Sequence, residues 1–297
     1  MGTERIGFVG VGLMGQGMAA SLLEAGYPVT VVAHRNRAPV DALVGLGAAE
    51  AADVPDLAGK SDIVHICAPG SPEVEGIVAA LRRELSPGAV VVDCSTSNPV
   101  STIALAESLT ADGIGFADAP LGGTPAQAAE GMLATMVGAS DETFARIEPV
   151  LKAWAGASVV HMGAVGDGHK MKLLNNFLAM GYGAIYAEAL ALSRKVGIPP
   201  ERFDGVIRGS RMDCGFYQTF MGHTIGGDRN SHKFTLTNAL KDMTYLAAMA
   251  GGAGIANPVG AAVRNGFAQA VAQGGDGPED YVPHLADFVA KANGLDD

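Results

Sequence analysis

Cysteine is scarce in this 297-residue chain: Cys67, Cys94 and Cys214 stand at unrelated spacings. They form neither a metal knuckle nor a paired disulfide framework, so no metal site is expected and a reducing cytoplasm is the expected location. Positive charge is also in deficit. Twenty Lys and Arg against 31 Asp and Glu give a formal charge of -11. No basic stripe is available to neutralise a phosphate backbone, which argues against nucleic acid as partner. The chain has no uninterrupted apolar segment of membrane-spanning length. Even its richest helical stretch, near Leu173 to Leu192, carries Asn175, Asn176, Tyr182, Tyr186 and Glu188. The first residues enter a strand-like run, "RIGFVG", without the regions of a secretion signal, and no low-complexity tract or repeat is present. A protein outside the membrane is expected.

What is present is 48% hydrophobic residues, enough for a sizeable core, on a chain whose length suits two domains. From Ile6 to about residue 161, β-rich runs such as "IGFVG", "VTVVA", "DIVHICA", "AVVVDCS", "GIGFADA", "LATMVG" and "SVVHMG" alternate with amphipathic helical ones. Continuous Val/Ile runs between breakers suit strands covered on both faces, hence a mostly parallel sheet between helices. After residue 162 the strand pattern stops. A long helix is expected at about 168–196, then helices near 200–209, 214–225, 234–252, 257–273 and 280–293, separated by "GIPP", "GGDRN", "GGAGIANP" and "GGDGPED". The expected fold is α/β: an N-terminal Rossmann domain over 1–162, then an all-α C-terminal domain over 163–297, joined by the long helix.

"RIGFVGVGLMGQGM" places Gly10, Gly12 and Gly15 in GxGxxG spacing, directly after a strand and opening a helix. The first glycine permits the tight turn, the second lets a pyrophosphate approach the backbone, and the third lets helix and strand pack closely. The amides near Leu13 and Met14 then face the phosphates. The end of the second strand holds an acid where the adenine ribose carries free hydroxyls. Here Ala33 stands there, followed by His34, Arg35 and Arg37. Two guanidinium groups suit a 2′-phosphate, which favours NADP(H) over NAD(H), unless the arginines are only solvated loop residues.

Together with "CAPGSPEV", "VVDCSTSNP", "DAPLGGTPAQAAEGMLATMVG", "GDGHKMKLLNN" and "ALKDM", the chain resembles the β-hydroxyacid dehydrogenase family over about residues 5–292. The family includes 3-hydroxyisobutyrate dehydrogenase and tartronate semialdehyde reductase. The resemblance implies a Rossmann domain and a helical domain that forms a homodimer or homotetramer, with the active site in the cleft between domains. It also places Pro69 and Val74 by the adenosine half of the cofactor, and Ser95 and Thr96 by the nicotinamide ribose. Pro69 can equally shape a strand end, and Ser95 or Thr96 can cap the helix that Pro99 begins.

The family's reactive lysine falls on Lys172, with Gly166 and Gly168 as its glycines. Helical spacing supports this: Lys172 shares a face with Asn175 and Asn176, then Ala179 and Gly183. Lys170 has Leu173 and Leu174 at the same offsets and is expected to snorkel outward. In reduction, the Lys172 ammonium stabilises the alkoxide and supplies its proton. In oxidation, the neutral amine accepts the hydroxyl proton. Asn176 then holds the lysine or a substrate oxygen, and Asn175 assists.

The family's substrate loop reads D-A-P-V-S-G-G, whereas "DAPLGGT" replaces the serine by Gly122 and the last glycine by Thr124. Amides at Gly122 and Gly123 can still form an anion nest, with the Thr124 hydroxyl nearby. The change resembles the subgroup handling sulfolactaldehyde or 4-hydroxybutyrate, whose loop reads P-V-G-R-T, but position 123 is Gly and not Arg. Phe234 and Lys241 match positions that close over cofactor and substrate; Asp242 is expected to brace structure. Phe216 or Tyr217 form either a substrate wall or core, and His169 reads as a packing or capping residue. The expected activity is hydride transfer between NADP(H) and a short β-hydroxy acid or semialdehyde. The alternatives are an NAD(H)-linked reductase of 4-hydroxybutyrate or sulfolactaldehyde type, an imine reductase, and a nucleotide-binding module without turnover. An intact Lys172 weighs against the last two.

Overall fold

The strand β1 (Ile6–Val9), made of IGFV, has every residue buried, and so do β2 (Val29–Val32) and β4 (Ile63–Ile66). Period-2 alternation sends Ile6 and Phe8 into one core and Val9 into another; β4 likewise splits Ile63 from Val64 and Ile66. A sheet with two apolar faces needs helices on both. The computed structural model describes residues 4–295, and within them nine strands form one sheet. Its order is β3-β2-β1-β4-β5-β6-β8-β7, with β9 on β8. The remaining strands are β3 (Ala49–Ala51), β5 (Val90–Asp93), β6 (Gly115–Asp118), β7 (Leu121–Gly122), β8 (Ala134–Gly138) and β9 (Ser158–Gly163). All pairs are parallel except β6 with β8 and β7 with β8. The 3-2-1-4-5-6 order is that of the doubly wound dinucleotide fold, with its switch point between β1 and β4.

Helices α1 (Gly15–Glu24), α2 (Ala38–Gly45), α3 (Val54–Gly59), α4 (Ser71–Leu81), α5 (Pro99–Thr110), α6 (Pro125–Ala129) and α7 (Asp141–Leu151) connect the strands. Several begin where sequence chemistry dictates: Asp53 caps α3, Asn98 caps α5 and Ser140 caps α7 through side-chain oxygens. Asn98, and not Ser95 or Thr96, thus caps the helix that Pro99 begins. β3 and β7 lie outside the strand-like runs of the sequence. The first is AEA, without a β-branched residue, and the second is two residues long. Both are strands because neighbours pair with them, not by propensity.

Helix α8 (Asp167–Lys195) is followed by α9 (Pro200–Ile207), α10 (Gly215–Thr224), α11 (Leu236–Gly252), α12 (Pro258–Ala272) and α13 (Leu285–Ala292). By contacts the chain forms one compact unit up to Lys172 and a second from Leu173. The second has its own core, built on Leu173, Met180, Tyr217, Phe220, Met243 and Phe267. Tyr217 is therefore a core residue, with its hydroxyl on Asp204 at 3.1 Å. Among the described residues no helix is long and apolar enough to cross a membrane.

Candidate active site

At the end of β1 the chain turns through Gly10 at φ 96°, a conformation that L side chains rarely adopt. A Cβ there would fall on the Cys67 carbonyl, and one at Gly15 on the Gly10 carbonyl and the Phe8 ring. A Cβ at Gly12 would meet nothing within 4 Å. Gly10 and Gly15 are required by the protein's own packing, whereas Gly12 borders open space. Among the described residues no backbone carbonyl takes the amides of Leu13 or Met14. These unpaired donors at a helix start, beside an exposed glycine, form an anion-binding surface.

Beyond β2, His34, Arg35 and Arg37 are all exposed. Arg37 is engaged: Nη1 and Nη2 donate to the two Glu50 oxygens at 2.9 and 2.8 Å, and Nε lies 3.0 Å from Asp41. Of the two arginines expected at a 2′-phosphate, this one already has two carboxylates.

The loops after β4 and β5 are tied together. Ser95 Oγ accepts the Ala68 amide at 2.9 Å, and Ser71 Oγ accepts the Asn98 amide at 2.7 Å. Asp93, at the end of β5, accepts the Ser95 amide and the Ser97 hydroxyl at 2.9 and 2.7 Å. Ser95 is buried and Thr96 half-buried; Pro69 is exposed. Val74 is only 1% exposed and packs α4 into the second core of the sheet. Its side chain serves the packing of α4 on the inner face of that helix.

Sequence reasoning missed the polar network under the start of α8. Asp118, at the end of β6, accepts the amides of Gly166 and His169, each at 2.6 Å. Burial pushes its carboxyl above the ordinary range, against the His169 charge and the amide bonds that pull it down. His169 is fully buried. Its Nε2 donates to the Ser95 carbonyl at 3.0 Å and its Nδ1 meets the Thr102 hydroxyl at 2.8 Å. The histidine is a brace between α5, the β5 loop and α8. The available signal was an acid ending each of two strands, in "VVVD" and "GFAD", beside a helix start whose first amides need acceptors.

Lys172 follows one residue-turn after His169 and is half-buried. Lys170 pairs with Asp167 at 2.8 Å, its side chain 42% exposed. In the "DAPLGGT" loop, Gly123 is exposed at φ 131°. Thr124 is the N-cap of α6: its hydroxyl accepts the Gln127 amide at 3.3 Å and lies 3.2 Å from Gln127 Oε1, which also takes the Thr124 amide at 2.9 Å. A capping box thus occupies the Thr124 hydroxyl. α6 packs on α1 so closely that a Cβ at Gly17 would lie 2.5 Å from Ala128. The "DAPLGGT" loop and α1 are thereby coupled.

In the second unit, Asn176 Nδ2 donates to Asp242 Oδ2 at 2.7 Å, and Asn175 Nδ2 lies 3.4 Å from Asn176 Oδ1. Lys241 Nζ is 3.3 Å from Asp242 Oδ1 and 5.6 Å from the Tyr245 ring centre. Phe234 and Phe216 pack half-buried against the core of this unit, with the His232 ring edge-on between them.

Comparison with known proteins agrees with this geometry. Residues 5–163 match the NAD binding domain of 6-phosphogluconate dehydrogenase, and residues 166–283 match the NAD-binding region of NADP-dependent 3-hydroxyisobutyrate dehydrogenase. The chain belongs to the β-hydroxyacid dehydrogenase family. A 2-(hydroxymethyl)glutarate dehydrogenase of Eubacterium barkeri is 38% identical over 207 residues, 68% of each chain. A 3-sulfolactaldehyde reductase of Escherichia coli K12 is 30% identical over 91% of each. The solved 3-hydroxyisobutyrate dehydrogenase of Mycobacterium tuberculosis, bound to L-serine, superposes with a TM-score of 0.84 at 25% identity, covering 95% of this chain and 98% of that one.

This hydroxyacid dehydrogenase is an NAD(P)-dependent oxidoreductase. Its residues fit the dinucleotide. Gly12 has no packing reason to lack a side chain, and the free amides beside it match a pyrophosphate in charge. When bound, the coenzyme supplies or accepts the hydride. Burial first of all pushes the Cys67 thiol up to about 12 and Cys94 well above its usual value, so neither is a thiolate at neutral pH.

Proposed function

We propose that this β-hydroxyacid dehydrogenase transfers a hydride between NADP(H) and a short-chain β-hydroxy acid or its semialdehyde, with Lys172 as the general acid/base. The observation that carries the reading is Lys172 at the start of α8, the helix end that Asp118 and His169 tie to the loops leaving β5 and β6. A side chain held on a fixed helix end beside those loops suits a positioned proton donor. Gly10, Gly12, Leu13, Met14 and Gly15 hold the pyrophosphate; Ser95 and Thr96 form the nicotinamide side. The amides of Gly122 and Gly123 anchor the substrate carboxylate. In the second unit, Asn175 and Asn176 are the proposed substrate residues and Phe234 and Lys241 the proposed coenzyme residues.

The substrate class draws on the relatives. 2-(Hydroxymethyl)glutarate, 3-hydroxyisobutyrate and serine each carry a hydroxyl on the carbon β to a carboxylate. NADP(H) is the favoured coenzyme on the strength of Arg35 and His34, with Arg37 shared with Glu50. A sulfonate semialdehyde is the second reading, favoured by the likeness to 3-sulfolactaldehyde reductase and by Gly122 in place of serine. The protein is proposed to form a homodimer or homotetramer. Leu178, Ile185 and Leu192 leave 58 to 64% of their surface exposed along α8, and Ile185 and Leu192 line a groove of about 750 Å³ together with Phe288 and Val289.

The test is to follow oxidation of NADPH and NADH with tartronate, methylmalonate, succinate and sulfonate semialdehydes and cyclic imines, on the parent and on Lys172→Ala. Turnover of the carboxylate semialdehydes that disappears in Lys172→Ala, with coenzyme binding kept, is expected. Turnover of the sulfonate alone selects the second reading. Undiminished turnover in Lys172→Ala would refute the assignment of the lysine.

A further inference from the structure

Every nitrogen of the Arg37 guanidinium faces a carboxylate. Glu50 lies on β3, next to β2, with Val31 opposite it in parallel register. From there it grips Nη1 and Nη2 in a two-point bond, and Asp41 on α2 takes Nε. One positive and two negative charges leave this cluster at a net charge of -1. The hydrogen bond from Arg37 lowers the Glu50 carboxyl, so it is ionised throughout the neutral range. Arg35, two residues earlier, is exposed, and Ala33 leaves the end of β2 without the acid that commonly meets ribose hydroxyls. The acidic group at this corner comes instead from the neighbouring strand, bonded to the very arginine that a 2′-phosphate would use.

We propose that Glu50 sets the coenzyme selectivity of this enzyme by competing with the 2′-phosphate of NADP(H) for Arg37. This rests on the reading of the β2–α2 loop as the adenine-ribose site. Arg37 must give up its two-point bond to Glu50 before it can serve the phosphate. The Arg37 side chain is 58% exposed and that of Glu50 is 30% exposed. Such an open pair is screened by water, so the competition is a graded one that phosphate can win. Glu50 is a positioning residue acting through Arg37, and it leaves the hydride and proton steps untouched.

Calorimetric titration of 2′,5′-ADP and 5′-AMP into the parent, Glu50→Gln, Arg37→Ala and the double variant tests this without turnover. Glu50→Gln is expected to bind 2′,5′-ADP about three- to tenfold more tightly and to leave 5′-AMP within about twofold. Adding Arg37→Ala should abolish the gain. The NADPH-to-NADH preference should shift by the same factor in KM, with kcat unchanged. A Glu50→Gln protein with unaltered or weaker 2′,5′-ADP binding overturns the proposal, as does a gain that survives loss of Arg37. Parent protein that binds 2′,5′-ADP no more tightly than 5′-AMP counts against the NADP(H) preference alone, because the Glu50→Gln gain is read independently of it. Both residues are exposed, and unchanged thermal unfolding of each variant verifies that the fold is retained.

Discussion

The Asp118 carboxylate accepts the backbone amide of His169 at 2.6 Å and that of Gly166 at the same distance. One buried acid at the end of β6 thereby supplies the acceptors that the first turn of α8 lacks, and it fixes the helix end on which Lys172 stands. The arrangement is dense. A Cβ at Gly168 would lie 2.8 Å from Asp118 Oδ2, so only glycine lets the helix approach this closely.

Replacing Asp118 by Asn turns one acceptor into a donor facing a backbone N–H. The variant is expected to lose about 1–3 kcal/mol of stability. It should also lower kcat, while coenzyme affinity stays near that of the parent. Urea denaturation with steady-state kinetics measures both, and a variant as stable and active as the parent would remove Asp118 from its role as anchor.

The glycines of the nucleotide loop separate by cause. Gly12→Ala is expected to keep the melting temperature and to lose coenzyme affinity, because the added methyl enters only the space a pyrophosphate needs. Gly10→Ala meets both a positive φ and the Cys67 carbonyl, and should cost about 1–3 kcal/mol of stability. Parallel melting and titration of the two variants decide the matter; equal melting losses would contradict it.

Asn176 donates to the fully buried Asp242 carboxylate. Truncation to Ala removes a hydrogen bond to a charged group, expected to cost about 1.5–3 kcal/mol. The loss should show as a shifted denaturation midpoint. If Asn176→Ala unfolds at the parent midpoint, the asparagine has no bracing role.

His65 lies in the core between the Phe8 ring, stacked at 5.7 Å, and the Trp154 edge at 6.1 Å. Burial alone lowers its pKa from 6.5 to about 3. The unfolded chain therefore takes up a proton at His65 that the folded chain refuses. Stability is complete above 6.5, falls as the pH drops below that value, and continues to fall until about 3. Denaturation midpoints between pH 7 and 4 should decline in the parent and decline less in His65→Gln. Equal slopes would place the acid sensitivity elsewhere.

Local chemistry wrote much of this protein directly into its residues. Runs such as IGFV and VVVD must be strands buried on both faces, and GxGxxG after the first of them must be a tight turn into a helix. Helix limits in the second half followed from "GIPP" and "GGDRN". The 3.6-residue period puts Lys170 and Lys172 on different faces of α8, and Lys170 is paired with Asp167. These features depend on neighbours in the chain, so the sequence alone could reveal them.

Only the tertiary structure decided what distant strands bring together. β3 and β7 exist because a partner pairs with them. Val74 packs into a core because α4 turns that side inward. Asp118 and His169 meet across 51 positions, and Glu50 reaches Arg37 from the next strand. No local pattern marks such pairs, since an acid or an arginine reads the same in sequence whether it faces water or its opposite charge. Folding sets the partner, and the partner sets how each group is used.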